Sequence, residues 1–340
     1  MNLPADLSAW VTSRSPETRM EAVMGQPEHF PPESMRPPAG PVAVIPHGRS
    51  AELGLRPADV TENLSSATGL VWREGPPDQL GRTLDAYPNI RWVQLPMSGV
   101  DSYQKVLRYH GPKGVLFTSA KGSFAQPVAE HALMLVLALL RFLPERIRTT
   151  TWGPPKGRTL YGANIVIVGA GGIAVALTRL LAPFSVQIVS VRRKATPMEG
   201  ATATVTVEDL SRVLPDADVV IVAAALTEQT RHLFAAQAFA AMKNTAIFVN
   251  VGRGELVNTP DLISALESGR IAAAGLDVTE PEPLPSDSPL WRNDRCIITP
   301  HSGDPAELVA PLLAERILRN VEALHSGKEM IGVVDTDAGY

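Results

Sequence analysis

Arg253 stands between Gly252 and Gly254, Glu282 between Pro281 and Pro283, and His301 directly after Thr299-Pro300. A guanidinium with small neighbours leaves room for a planar carboxylate or a 2-oxo group beside it. An imidazole moves protons near neutral pH, and a carboxylate next to it favours its charged, proton-donating form. Upstream lies Gly169-Ala170-Gly171-Gly172-Ile173-Ala174, and Asp277 falls between the arginine and the glutamate. The set offers a phosphate-cradling turn, a carboxylate receptor, an acid after a strand and a proton-transfer pair. Singly, each also has an ordinary explanation as a turn or a surface residue.

These residues need strand ends to bring them together. Short apolar runs at 42–45, 69–72, 90–95 and 115–118, bounded by turn residues, read as buried parallel strands. The intervals between them are long enough for crossover helices. Residues 127–141 repeat apolar side chains almost all the way round a helix, which predicts burial on several sides. From 164 the pattern restarts as strand, turn and helix: strands at 165–168, 186–191, 219–223, 246–250, 271–276 and 296–298. Helical intervals fall at 173–181, 210–214, 240–243 and 262–268. Alternation of this kind predicts doubly wound α/β sheets. Residues 305–326 form an amphipathic helix ending at Gly327, expected to pack back on the first sheet. The expected division is therefore 1–123 with 303–340 as one domain and 124–302 inserted as the other. Residues 1–40 read as irregular, with one short helix over 16–24.

The glycine turn follows a strand and opens a helix, the context a dinucleotide fingerprint requires. Gly169 permits the tight turn, Gly171 lets a pyrophosphate approach, and the helix N-terminus supplies N–H groups. Ala174 is small enough for helix–strand packing. At the end of the next strand stand Arg192, Arg193 and Lys194. An acid here would accept from a ribose 2′-hydroxyl, whereas a guanidinium binds a 2′-phosphate. Arg192 thus points to NADP(H) over NAD(H); the other reading is a solvated basic cluster at a strand end.

Composition sets the outer bounds. A chain of 340 residues suits two domains, and its net charge of -4 gives no reason to expect nucleic acid or a membrane surface. The most apolar run, 132–140, is shorter than the roughly 20 residues that span a bilayer. The first ten residues lack the order of a signal peptide. Cys296 is the only cysteine, which excludes an intrachain disulfide and fits a reducing cytoplasm.

The four motifs, Gly169–Ala174, Asn250–Gly254, Asp277–Pro283 and Thr299–His301, resemble in type and order those of the D-isomer-specific 2-hydroxyacid dehydrogenases. Leu95-Pro96-Met97-Ser98-Gly99-Val100-Asp101 resembles that family's substrate loop. The resemblance implies a Rossmann cofactor domain inserted into a flavodoxin-like substrate domain. It implies cofactor contacts from Gly169, Gly171, Gly172 and Ile173, from Arg192 and Arg193, and from Val251, Gly252, Arg253 and Asp277. Asp277 would accept from the nicotinamide carboxamide. Ser98, Gly99, Val100 and Arg253 would hold the substrate carboxylate. Arg253, Glu282 and His301 would form the catalytic set, with no metal assigned. His131 is read as structural.

The expected reaction is NADP(H)-dependent reduction of a small 2-oxo acid, glyoxylate or hydroxypyruvate. Glu282 stands where formate-oxidising relatives carry glutamine, which favours hydroxy acids. Pairing as a homodimer through the 128–140 helix is also implied. Two other readings use the same residues: an NAD-dependent phosphoglycerate dehydrogenase, which Arg192 disfavours, and a non-enzymatic nucleotide-sensing corepressor.

Overall fold

The computed structural model describes residues 36–336; the short helix expected over 16–24 lies outside them. Two parallel sheets carry the architecture. The first contains β1 (Val42–Ile45), β2 (Gly69–Trp72), β3 (Trp92–Gln94) and β4 (Leu116–Thr118), in that spatial order. Val60 adds a single parallel bridge to Val42 on the free edge of β1. Counting that bridge as the second strand gives the 2-1-3-4-5 order of flavodoxin-like sheets. Only one residue of it pairs because Pro57 and the polar run Thr61-Glu62-Asn63 flank it.

The second sheet has seven strands: β5 (Asn164–Val168), β6 (Gln187–Arg192), β7 (Ala203–Thr206), β8 (Val219–Val222), β9 (Ile247–Asn250), β10 (Ala273–Leu276) and β11 (Cys296–Ile298). Their order is β11-β10-β9-β8-β5-β6-β7, all parallel. The direction of winding reverses between β5 and β8. That is the Rossmann arrangement, and a crevice for a ligand opens at the carboxyl ends beside this switch point.

Both faces of the second sheet are buried, which explains its nearly unbroken apolar strands. Ile165 and Ile167 of β5 join one core with Ala129, Ala132 and Leu135. Val166 and Val168 join the other, with Phe234, Phe239 and Phe248 in mutual ring contact. The helix Ala125–Leu140 lies so close over β10 that a Cβ on Gly275 would come within 3.1 Å of the Leu135 Cβ.

The last helix, Ala306–Ser326, returns to the first sheet and ends at Gly327 in the left-handed conformation (φ 65°). Its Ile317, Val321 and Leu324 pack with Val42, Val44, Trp92 and Leu116. Beyond it, Val333 pairs antiparallel with Thr118. Two segments therefore cross between the sheets, one entering the helix Ala125–Leu140 and one following His301. Among the described residues, no helix is long and apolar enough to cross a membrane.

Candidate active site

Gly169 leaves β5 at φ 114°, and a Cβ there would lie 2.6 Å from the Ala223 carbonyl oxygen on the neighbouring strand's exit. Only glycine fits that turn. Gly171 caps the helix Gly172–Leu181, and no atom lies within 4 Å of the space its Cβ would occupy. The helix has no side-chain cap and no acid in its first turn. Its first N–H groups and the positive end of its dipole thus face an open cradle, suited to a pyrophosphate. Ile173 tucks against the apolar core behind the turn.

Arg192 is the last residue of β6, and Arg193 beyond it is exposed. An Arg192 Nη1–H donates to the Thr196 carbonyl oxygen at 3.3 Å, within the loop that follows the strand. Both arginines therefore lie at the carboxyl edge, one strand over from the glycine turn.

Arg253 follows β9. Buried Asn250 shapes its turn, donating to the Arg253 carbonyl at 2.8 Å and accepting from the Gly252 N–H at 3.0 Å. Val251 is buried and donates to Val222 O. Gly254 is pressed on the Thr279 carbonyl, where any Cβ would collide at 1.8 Å. The guanidinium leans out over the first sheet's loop at 98–101. Its Nε–H donates to Asp101 Oδ2 at 3.0 Å and an Nη1–H to Gly252 O at 2.8 Å. Nη2 would sit 1.7 Å from a Cβ on Gly99. Ser98 donates to Ala120 O at 3.2 Å, and Val100 is buried beneath the loop. Arg253 and the loop at 98–100, 153 residues apart at the nearest, are thus brought together.

His301 follows β11, and its Nδ1 lies 2.7 Å from Glu282 Oε1. Both side chains are a little over two-fifths exposed, so the pair opens on the cleft. His301 takes up a left-handed backbone (φ 51°), fixed by its N–H donating to Asp277 O at 2.8 Å. With Nδ1 engaged by the carboxylate, Nε2 is the ring nitrogen available to a ligand.

Asp277 is 3% exposed at the end of β10. Its Oδ1 accepts from Thr299 Oγ1 at 2.6 Å and from the Ser302 N–H at 2.8 Å, and Oδ2 accepts from the Gly303 N–H at 3.0 Å. His131 Nε2 lies 3.2 Å from Oδ1 and 2.8 Å from Thr299 Oγ1. Burial pushes this carboxyl up, but the hydrogen bonds from His131, Thr299 and Ser302 outweigh it and bring its pKa down to about 2. His131 is structural in a specific sense: it ties the first crossing helix to the acid that also holds the second crossing.

Three groups escape motif reading. Asp101 ends the quoted 95–101 motif, but no residue in that motif announces a partner 152 positions away. Thr299 hides inside a Thr-Pro turn. Asp304 lies three residues past His301; burial raises its carboxyl, against the fields of His301 and Arg253. An acid so near the histidine in sequence was the available signal.

Known proteins resemble this chain in sequence and fold. The model of the D-isomer specific 2-hydroxyacid dehydrogenase NAD binding domain matches residues 133–303. A glyoxylate reductase/hydroxypyruvate reductase from Mus musculus is 36% identical over 256 residues, 72% of this chain and 77% of that protein. Among solved structures, a D-isomer specific 2-hydroxyacid dehydrogenase from Xanthobacter autotrophicus Py2, in complex with NADPH and MES, superposes with a TM-score of 0.75. It is 27% identical and spans 89% of this chain and 100% of its own. An NADPH-dependent glyoxylate/hydroxypyruvate reductase from Sinorhizobium meliloti, bound to NADP and sulfate, gives a TM-score of 0.75 at 25% identity, over 88% of this chain and 100% of that one.

Proposed function

The chain belongs to the D-isomer specific 2-hydroxyacid dehydrogenase family, and from that premise we propose an NADP(H)-dependent reductase of small 2-oxo acids, with glyoxylate and hydroxypyruvate as the leading substrates. The observation that carries this reading is the meeting of Arg253 with Gly99 across the two sheets, beside the Glu282–His301 pair at 2.7 Å.

The cofactor fits the residues present. The cradle at Gly169 and Gly171 and the uncapped helix behind it suit a pyrophosphate. Arg192, with Arg193 beside it, suits a ribose 2′-phosphate. Val251, Gly252 and Asp277 border the same carboxyl edge, and Asp277 is assigned the carboxamide. When bound, the nicotinamide supplies the hydride that the carbonyl carbon accepts.

The chain's own residues do the rest. Arg253 and the N–H groups of Gly99 and Val100, flanked by Ser98, hold the substrate carboxylate. That fixes the carbonyl carbon in one orientation in the cleft. His301, charged and held at Nδ1 by Glu282, gives the proton on Nε2 to the carbonyl oxygen. In the reverse direction neutral His301 takes that proton from the hydroxyl. Arg253 also offsets the charge that builds on the oxygen.

The same reading divides the chain into a substrate domain, 1–123 with 303–340, and a cofactor domain, 124–302. It further assigns a homodimer formed around the helix Ala125–Leu140. Met134, Leu143, Ile147 and Trp152 expose apolar surface there, Trp152 at 93%. A cytoplasmic location is assigned on the single cysteine, which suits a reducing compartment.

Initial rates of NADPH oxidation, and separately of NADH oxidation, with glyoxylate, hydroxypyruvate and pyruvate test the proposal. Turnover with NADPH preferred is expected. Turnover preferring NADH would discard the role of Arg192, and no turnover with any pair would overturn the reaction.

A further inference from the structure

The geometry points to Asp101 as the positioning residue that aims Arg253 at the substrate, an assignment that rests on the carboxylate-binding role of Arg253 proposed above. The two side chains come from different sheets. Asp101 follows β3 and the substrate loop, whereas Arg253 follows β9. Their contact crosses the cleft: Nε–H to Oδ2 at 3.0 Å, each side chain about one-third exposed.

A guanidinium has five N–H donors in one plane. The Nε donor goes to Asp101 and one Nη1 donor to Gly252 O at 2.8 Å. These two fixed points set the plane and leave Nη2 over Gly99, where a Cβ would lie only 1.7 Å away. Nη2 therefore lies against the loop whose Gly99 and Val100 N–H groups are assigned the same carboxylate. The carboxylate of Asp101 takes the Nε–H, and the substrate carboxylate is received at Nη2 beside Gly99.

A partly exposed ion pair contributes little to stability, because both charges stay near water. Its consequence lies in orientation. A free arginine samples many rotamers, and ordering it on ligand binding costs affinity. Asp101 settles that ordering before the ligand arrives.

The test uses oxamate, an unreactive carboxylate of 2-oxo acid shape, titrated into the NADPH-loaded full chain, alongside KM and kcat for glyoxylate. Asp101→Ala is expected to weaken oxamate and raise KM at least tenfold, with NADPH affinity unchanged. Asp101→Asn keeps an acceptor for Nε–H and should recover most of that loss. Arg253→Lys has no fork to aim, so adding Asp101→Ala to it should cost less than threefold more. An Asp101→Ala loss of the same size in the lysine background would overturn the assignment. So would a parallel loss of NADPH affinity, or no loss at all. Wild-type protein that binds oxamate but reduces no 2-oxo acid defeats the proposed reaction and leaves the Asp101 result standing. Wild-type protein that neither binds oxamate nor reduces glyoxylate defeats both.

Discussion

Glu282 holds His301 from the Nδ1 side at 2.7 Å, and His301 presents itself from a left-handed backbone at φ 51°. Such a conformation costs a non-glycine residue about 1–3 kcal/mol and persists only where its surroundings fix it. Here the fixing bond runs from the His301 N–H to Asp277 O at 2.8 Å. The strained residue is also the one whose free ring nitrogen faces the cleft.

Replacing His301 with alanine should lower kcat by about a hundred- to ten-thousand-fold, the usual contribution of a positioned proton donor. NADPH affinity should stay within a factor of about two, since His301 is not among the residues assigned to hold the cofactor. Glu282→Gln keeps the side-chain shape but removes the charge, so a smaller fall in kcat is expected. Steady-state rates and NADPH fluorescence titration separate the two quantities. Equal losses in both would show that His301 acts on the cofactor site instead.

Cofactor choice rests on Arg192 at the carboxyl end of β6. Arg192→Asp replaces a cation that suits a 2′-phosphate with an acid that accepts from a 2′-hydroxyl. A charge-assisted hydrogen bond contributes about 1.5–3 kcal/mol, so the ratio of kcat/KM for NADPH over NADH should fall about ten- to a hundred-fold. An unchanged ratio would move phosphate recognition elsewhere on the strand edge.

The parts of this site that the sequence makes legible are those that follow strand ends. Gly169 and Asp277 come directly after an apolar run and Arg253 and His301 within three residues of one, and period and length identify such runs. β11 falls on the expected 296–298, and β2 on 69–72. β7 (Ala203–Thr206) carries no such mark: it is an edge strand of Ala, Thr, Val and Thr with no buried residue, so no apolar run announces it. The helix expected over 240–243 lies instead at Ala236–Ala241, because Ala-Gln-Ala-Phe-Ala-Ala has too few large apolar residues to fix a helical phase. Contacts between the two sheets are the least legible. Asp101 to Arg253 and His131 to Asp277 depend on how the sheets face each other, which no local pattern encodes.

Asp277 makes stability depend on acid pH with a defined sign. Its pKa is lowered from 3.8 to about 2 in the folded chain. A carboxyl with a depressed folded pKa stabilises fully above its unfolded value and loses that contribution as pH falls through the folded one. The loss should therefore run from about pH 4 to about pH 2. The shift corresponds to about 2 kcal/mol. Asp277→Asn should lower the free energy of unfolding at pH 6 by about 2 kcal/mol. Its difference from wild type should shrink as the pH drops toward 2. A difference that stays constant with pH would assign the loss to shape and not to charge.

Gly169 joins fold and cofactor in one position. A methyl group there would meet Ala223 O at 2.6 Å and Ala224 N at 3.0 Å, both backbone atoms of the strand's exit that cannot swing aside as a side chain would. The φ of 114° adds conformational strain for any residue with a Cβ. Gly169→Ala should therefore destabilise the chain by about 1–3 kcal/mol and push the turn away from the helix Gly172–Leu181. Because the displaced turn forms the pyrophosphate cradle, NADPH affinity should fall at least tenfold, and NADH affinity by the same factor, since both share the pyrophosphate. This parallel loss distinguishes the glycine from Arg192, whose replacement separates the two cofactors. Thermal unfolding with and without NADPH measures both effects together: a lower midpoint in the free chain, and a smaller upward shift on adding cofactor. A full cofactor-induced shift in the Gly169→Ala chain would remove the pyrophosphate from this turn.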